Sequence, residues 1–153
     1  MDHGILTTRF NNVTYLELCR WKINNEYAGC IYNTKSRISN LNDYKIPYFV
    51  LEMNNVLNKI VGIGLIYINI SNIKEYIYSD NYLNRYTYKG EIHISMDDIE
   101  LDEEEKNYFI ENIENPLFYG KGHMKRGMGI TSFPKHKIKK EMIDLLKKIV
   151  YNN

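Results

Sequence analysis

The stretch KGHMKRGMGIT, residues 121–131, combines three permanent cations with glycines and carries no acidic residue. Lys121, Lys125 and Arg126 supply charge, and His123 adds a hydrogen-bond donor. Gly120, Gly122, Gly127 and Gly129 allow positive φ, which can turn successive N–H groups toward one anion. A P-loop would need a terminal Gly-Lys-Ser/Thr, which is missing, so nucleotide hydrolysis is not predicted. The composition fits contacts to the phosphates of a nucleic acid.

The alternative for this loop is a solvated connector whose lysines keep the surface soluble. Four more lysines follow at 135, 137, 139 and 140, where Ser132 and Pro134 predict the start of a last helix. Cations are unfavourable at the positive end of a helix dipole. A bound phosphate would relieve that repulsion, and so would neighbouring acids.

Three further groups of residues could contact bases. In NRYTYKG, Tyr86 and Tyr88 are interleaved with Arg85 and Lys89, which is typical of a stacking surface or of an ordinary amphipathic strand. Asn54 and Asn55 could bind a base edge, although Asn is also a common turn residue. Trp21 is the one tryptophan, and a core position is its simpler role.

The formal net charge of +1 hides a strong asymmetry along the chain. Residues 91–114 hold ten acidic residues against Lys106 alone, whereas residues 121–140 hold seven Lys or Arg and no acid. This division indicates either a surface for a polyanion or two solvated segments that pair with each other.

Composition excludes several other classes. No apolar run is long enough to span a membrane, and the N-terminus lacks the features of a secretory signal. Cys19 and Cys30 are too few for a disulfide framework. We therefore expect an intracellular protein, in the cytoplasm or nucleus.

The order of predicted elements is strand, helix, several strands, helix, loop, helix. HGILTTRF is a first strand, and Thr14 with Glu17 predicts a capped helix. IPYFVLEM and KIVGIGLIYINI form a hairpin in which Gly62 and Gly64 indicate a bulge or a close backbone approach. RYTYKGEIHISM is predicted as one strand. Asp102 and Glu105 cap the next helix, and Ile138 to Ile149 form the apolar stripe of the last.

The segment from LCRW through IPYFVLEMNNVLNKIVGIGLI resembles the PUA-like superfamily, in particular its YTH, EVE and ASCH branches. The chain is also similar to proteins of large DNA viruses in which this hairpin and a KxHxKRGxGIT stretch occur together. The resemblance implies an α+β fold with a small mixed β-barrel flanked by about three helices. It further implies binding of RNA, with a modified base held in an aromatic pocket near Trp21.

Enzymatic function is not predicted. His3, His93, His123 and His136 lack metal-ligand spacing, and no nucleophile motif is present. Some ASCH-type proteins resemble small amidohydrolases, for which Lys59 or Lys89 with Glu52 would have to serve here.

The sequence thus predicts one domain over residues 1–153 that binds RNA or single-stranded DNA, without a metal or another cofactor and without a membrane. Lys121, His123, Lys125 and Arg126 would contact phosphates. A protein–protein adaptor that uses the acidic segment 97–105 and Tyr-rich faces is the alternative, and a small hydrolase is third.

Overall fold

The computed structural model describes residues 2–39, 42–126 and 129–152, which form a mixed α+β fold. The strands are β1 (Gly4–Phe10), β2 (Cys30–Thr34), β3 (Tyr48–Asn54), β4 (Lys59–Ile66), β5 (Tyr86–Gly90), β6 (Ile92–Ser95) and β7 (Ile130–Ser132). The helices are α1 (Asn12–Asn24), α2 (Glu103–Phe109), α3 (Asn115–Phe118) and α4 (Lys140–Tyr151). A π-helical turn, Ile110–Glu114, joins α2 to α3, so three helical segments accompany the sheets.

The predicted α+β class is confirmed, whereas the strands within the described ranges form two sheets and no closed barrel. The larger sheet has the order β6-β4-β3-β1-β7, and β2 pairs with β5 in a separate ribbon. β1 runs parallel to β3, and the other pairs are antiparallel. The main core fills the space between the larger sheet and the helical segments 103–118 and 140–151.

Helix α1 begins one turn earlier than predicted. The N-cap is Asn11, whose side chain accepts a hydrogen bond of 2.9 Å from the N–H of Thr14. In return, the N–H of Asn11 donates a hydrogen bond of 3.1 Å to the Thr14 hydroxyl. Thr14 therefore completes a capping box as its third residue instead of opening the helix. Glu17 accepts from the N–H of Ser79 at 2.7 Å.

The predicted hairpin is confirmed as β3 and β4, and its glycines mark close approaches. The register slips between Glu52 and Met53, which leaves Val61 as the extra residue of a β-bulge. A Cβ at Gly62 would lie 2.6 Å from Oε1 of Glu52, and one at Gly64 would lie 2.2 Å from the Tyr32 hydroxyl. Both glycines make room for buried polar side chains.

The segment predicted as one strand, RYTYKGEIHISM, divides into β5 and β6, which belong to different sheets. The chain leaves one sheet at Gly90, where an added Cβ would lie 1.9 Å from the carbonyl oxygen of Leu65. The glycine therefore permits the contact between the ribbon and β4.

The C-terminal helices follow the prediction only in part. The capping box of Asp102 and Glu105 is present. Helix α4 begins at Lys140, not near Ser132, because residues 130–132 form β7 and residues 135–137 form a short 3-10 turn. The apolar stripe of α4 is buried as predicted, with Met142, Leu146 and Ile149 in the core.

Candidate nucleic-acid interface

The basic loop is fastened to the sheet by Arg9 at the end of β1. Its guanidinium donates hydrogen bonds to the carbonyl of Met124, to the carbonyl of Gly129 at 3.1 Å and to the Thr131 hydroxyl at 2.5 Å. None of these acceptors is a carboxylate, and no described acidic side chain lies within 4.0 Å of the group. Burial lowers the pKa of Arg9, although a guanidinium remains charged. Arg9 is thus a half-buried cation without a counterion in the described part of the chain.

The backbone of the loop points its donors inward. The N–H of His123 donates to the carbonyl of Gly120 (3.3 Å), that of Met124 to the carbonyl of Leu117 (2.8 Å) and that of Lys125 to Nδ1 of His123 (3.3 Å). These three groups are therefore not available to an anion, and phosphate contacts would have to come from side chains. Gly120 and Gly129 adopt the positive φ that was predicted, and Gly122 does not. Gly127 lies outside the described residues.

The loop's cations have no acidic partner among the described side chains. Lys121 and Arg126 are exposed, and Lys125 is half-buried. Within the described ranges, no ion pair involves any basic residue between 121 and 140. The acidic segment pairs elsewhere, since Glu105 meets Lys148 of α4. The positive surface is thus not neutralised by the ion pairs of the acidic segment.

A cavity of about 170 Å³ lies beside this loop, at the N-terminus of α1. Phe10, Tyr78 and Leu83 give it apolar faces. The rest of its wall is polar or basic: Thr8, Arg9, Asn11, Thr14, Asn33, Thr34, Lys35, Asn55 and Gly129. Flat apolar groups beside amides, hydroxyls and two cations could hold a planar, hydrogen-bonding group joined to a phosphate.

Asn55, at the tip of the hairpin, connects the cavity to the loop. Its Nδ2 donates a hydrogen bond of 2.8 Å to the carbonyl of Lys125. Its Oδ1 is buried and has no hydrogen-bond partner among the described residues. A buried acceptor without a donor costs free energy. A donor from a ligand would remove that cost.

The opposite wall is held by a fully buried asparagine, Asn84, which is 1% exposed. Its Oδ1 accepts from the N–H of Ile77 (3.2 Å) and of Tyr78 (3.1 Å) and from Nδ2 of Asn33 (2.9 Å). Thr87 completes the network with a bond of 2.6 Å to Oδ1 of Asn33. Such satisfied buried networks hold their members rigidly, so Asn33 and Tyr78 are preorganised in the cavity wall.

An aromatic and arginine cluster borders the cavity on the ribbon. Tyr86 pairs with Thr34, the last residue of β2, and both Thr34 and the following Lys35 line the cavity. Arg37 lies 5.2 Å and Arg85 5.6 Å from the centre of the Tyr86 ring. Arg85 also lies 5.7 Å from the Tyr82 ring, and Tyr82 is 65% exposed. An exposed ring with an adjacent guanidinium group is a stacking surface for bases. Tyr82 is such a ring, whereas Tyr86 is half-buried.

Of the predicted site residues, Asn55 lines the cavity and is hydrogen-bonded to Lys125 of the loop, which also carries His123 and Arg126. Arg85 and Tyr86 belong to the cluster on the ribbon. Lys121 lies at the start of the same loop. The others lie elsewhere. Trp21 packs edge-on against Tyr27 at 5.7 Å beside a core cluster and is not in the cavity wall.

Two more predicted residues have structural partners. Lys89 forms an ion pair of 3.2 Å with Glu75. Asn54 is buried, and its Oδ1 accepts from the N–H groups of Val56 and Leu57 at 3.0 and 3.1 Å. This is the turn role that was the alternative interpretation for Asn54.

Sequence reasoning missed Arg9, Lys35, Asn33, Arg37 and Tyr78. Arg9 is the one charged residue in the strand sequence GILTTRF, and a lone arginine at the end of an otherwise apolar or hydroxyl-bearing strand is a usable signal. The others carry no local signal, because the fold brings them together from separate strands and loops.

The residues considered for a hydrolase, Lys59 or Lys89 with Glu52, do not lie together in the structure. Glu52 is 3% exposed, and its carboxylate accepts from the Tyr32 hydroxyl (2.6 Å) and contacts Nε2 of His93 (3.0 Å). Neither Lys59 nor Lys89 lies within 4.0 Å of it. Among residues 2–39, 42–126 and 129–152, no group of three His, Cys, Asp or Glu side chains could hold a metal ion.

Comparison with protein-family models, with curated proteins and with solved structures gives no match. Among the described helices, none combines the length and the apolar character that a membrane span requires.

Proposed function

We propose that the chain is a nucleic-acid-binding module for single-stranded RNA or DNA, with RNA as the first expectation. The observation that carries the proposal is Arg9, a half-buried cation without an acidic partner among the described residues, in the wall of a cavity next to a basic loop. A phosphodiester would supply the missing anion, since Arg binds phosphate through charge-assisted hydrogen bonds.

One base would enter the cavity. Its faces would lie against Phe10, Tyr78 and Leu83. Its edge would meet the amide of Asn55, since the amide N–H groups of Asn33 are already used within the protein. The buried Oδ1 of Asn55 would accept from an exocyclic amine of the base, so its present lack of a partner would end on binding. Single strands suit this arrangement because their bases can be splayed out of the stack.

The neighbouring nucleotides would run along the same face. Tyr82 and Tyr86 would stack bases on the ribbon, and Lys121, Lys125 and Arg126 would contact phosphates at the other side of the cavity. A PUA-like relationship remains part of the proposal. It is supported by the order of an early helix, a small strand and a hairpin, and it is the reason to include modified bases among the ligands tested.

The test is fluorescence anisotropy with a labelled single-stranded RNA of mixed sequence, measured over a salt series. The logarithm of the affinity should fall linearly with that of the salt concentration, at about 0.7 per phosphate contact. Changing Lys121, Lys125 and Arg126 together to Ala should reduce the slope by about 2. The control variant changes Lys22, Lys45 and Lys74 to Ala, which removes the same charge outside the loop and the cavity.

Equal slopes for the two triple variants would show non-specific attraction instead of a site in the loop. If the wild-type protein fails to bind RNA or DNA at low salt, the proposal is wrong and the adaptor alternative is next. That alternative would be tested by replacing the acidic residues of segment 97–105 with neutral ones and measuring the binding of protein partners.

A further inference from the structure

A second, larger cavity of about 630 Å³ lies on the other side of the hairpin tip. The two cavities share a wall, because Thr14 and Asn55 line the first whereas their neighbours Tyr15 and Asn54 line the second. The second cavity is bounded by the start of β4, by the turn after β6 and by the helical segment 103–114. The proposed nucleic-acid site does not use it.

Two irregularities of the backbone meet at this cavity. Val61, the extra residue of the bulge in β4, lines it, and so do Ile110 and Glu114, the first and last residues of the π-helical turn. β-Bulges and π-turns are both frequent next to functional sites, where they redirect side chains. Here they place a carboxylate and apolar side chains on one wall.

Glu114 is a polar residue of this wall whose carboxylate can accept further hydrogen bonds. Its Oε2 accepts a hydrogen bond of 3.3 Å from the N–H of Ile60, and no described basic side chain lies within 4.0 Å of the carboxylate. Oε1 makes no hydrogen bond with the described residues. Burial raises the pKa of Glu114 above its usual value, although Ile60 and Lys59 lower it in part. A half-buried carboxylate with a free oxygen gains most from a cationic donor.

The remaining wall limits the kind of ligand. Ile60 and Phe109 are buried in its floor, with Met96 and Ile110 half-buried beside them. Lys59, Lys106 and Asp97 are exposed, so they are free to turn toward water. The surrounding segment 91–114 is strongly acidic, which disfavours a polyanion. These features favour a ligand with an apolar body and a cationic group.

We propose that this cavity is a second binding site, which takes a small molecule with an apolar, ring-sized body and a primary amine that pairs with Glu114. The amine would donate to the free Oε1, and the body would cover the apolar floor. The site is independent of nucleic-acid binding, so either proposal can fail without the other.

The experiment uses three probes that share a phenylethyl body: phenethylamine, 2-phenylethanol and 3-phenylpropionate. Titration calorimetry should show binding of the amine at least tenfold tighter than that of the alcohol or the acid. In methyl NMR spectra, the resonances of Ile60 and Ile110 should shift with the amine. The wall of the first cavity contains no isoleucine, so these shifts identify the second cavity.

Glu114→Gln should weaken amine binding at least tenfold, whereas Glu111→Gln, an exposed carboxylate on the same π-turn, should leave it unchanged. Affinity should also fall as the pH is lowered through the pKa of Glu114. The other ionisable groups facing the cavity are Tyr15 of α1, Lys59 of β4, Asp97 of the turn after β6 and Lys106 of α2. Lys59→Met and Lys106→Met test whether they set the pH dependence instead.

The proposal is overturned if phenethylamine produces neither heat nor shifts, if the three probes bind equally, or if 3-phenylpropionate binds best. The last outcome would assign recognition to the lysines. Loss of amine binding in Glu111→Gln as well would also contradict it, because a general charge effect would then explain the result.

Discussion

Asn55 donates a hydrogen bond of 2.8 Å from its Nδ2 to the carbonyl of Lys125, which joins the tip of the β3–β4 hairpin to the basic loop. The N–H of Asn55 donates in turn to the carbonyl of Phe10, at 3.1 Å. One residue therefore links the end of β1, the hairpin and the loop, and it also lines the cavity between them.

We expect Asn55→Ala to weaken RNA binding about three- to tenfold, which corresponds to the loss of one hydrogen bond worth about 0.5–1.5 kcal/mol. The free energy of unfolding should change little, because the substitution also removes the buried, unpaired Oδ1. Anisotropy titrations and urea unfolding measure the two quantities. Asn58→Gly is the control. Asn58 lies in the same turn, its Oδ1 is buried without a partner among the described residues, and its φ of 54° is one that glycine accepts. If Asn55→Ala and Asn58→Gly weaken RNA binding equally, the hydrogen bond between Asn55 and Lys125 has no specific role in binding.

The exposed ring of Tyr82 provides a second prediction. Tyr82→Ala should reduce affinity for single-stranded RNA by about 1 kcal/mol or more, roughly fivefold at least, because a stacked base loses its platform. Tyr76→Ala is the matched control. Tyr76 is also 65% exposed and has a cation, Lys74, 5.4 Å from its ring centre, but it lies outside the cluster of Arg37, Arg85 and Tyr86. If both variants lose affinity equally, the tyrosines act through general surface character and not through stacking at this cluster.

How far the fold could be predicted depended on whether the signal was local. The hairpin and the Asp102 capping box follow from neighbouring residues, and both are present. The division of residues 86–95 between two sheets depends on the contact of Gly90 with Leu65, 25 residues away along the chain. No short-range pattern contains that information.

The same distinction applies to the candidate site. The loop's cations were identified from composition, but their anchor, Arg9, donates to carbonyls more than 110 residues away in sequence. Trp21 was a candidate because it is the single tryptophan of the chain, but it packs against Tyr27 and the core cluster that contains Leu18. Residue type therefore indicated the chemistry of the face, and only the tertiary structure showed which residues share it.

A third prediction concerns the buried carboxylate of Glu52. Tyr32→Phe should lower the free energy of unfolding by about 1.5–3 kcal/mol, because a hydrogen bond to a buried, charged acceptor is lost. Tyr88→Phe is the control, since Tyr88 is equally buried but its hydroxyl accepts from the neutral N–H of Ile38 at 3.0 Å. Tyr88→Phe should lower the free energy of unfolding by about 1 kcal/mol. Urea unfolding at neutral pH measures both, and a smaller loss for Tyr32→Phe would mean that His93 alone satisfies Glu52.

The last prediction concerns the pH dependence of stability that arises from Glu114. Burial raises the pKa of this carboxyl in the folded state above its ordinary value of 4.5, so the folded protein binds the proton more tightly than the unfolded chain. The stabilisation from Glu114 is therefore complete below pH 4.5 and is lost as the pH rises through the folded-state pKa.

We therefore expect the difference in unfolding free energy between Glu114→Gln and the wild type to increase in favour of the variant from pH 4.5 toward neutrality. Urea unfolding over that range measures it, and the contributions of other titrating groups cancel in the difference. Asp2 does not interfere, because Lys147 and His3 lower its pKa to about 2. Glu111→Gln, which removes an exposed carboxylate on the same π-turn, is the control variant. A variant that is more stable at neutral pH and yet loses the amine would show that Glu114 is kept for binding at a cost in stability. A flat difference for Glu114→Gln would mean that its carboxyl is hydrated when ionised and would remove the physical basis for pairing it with an amine.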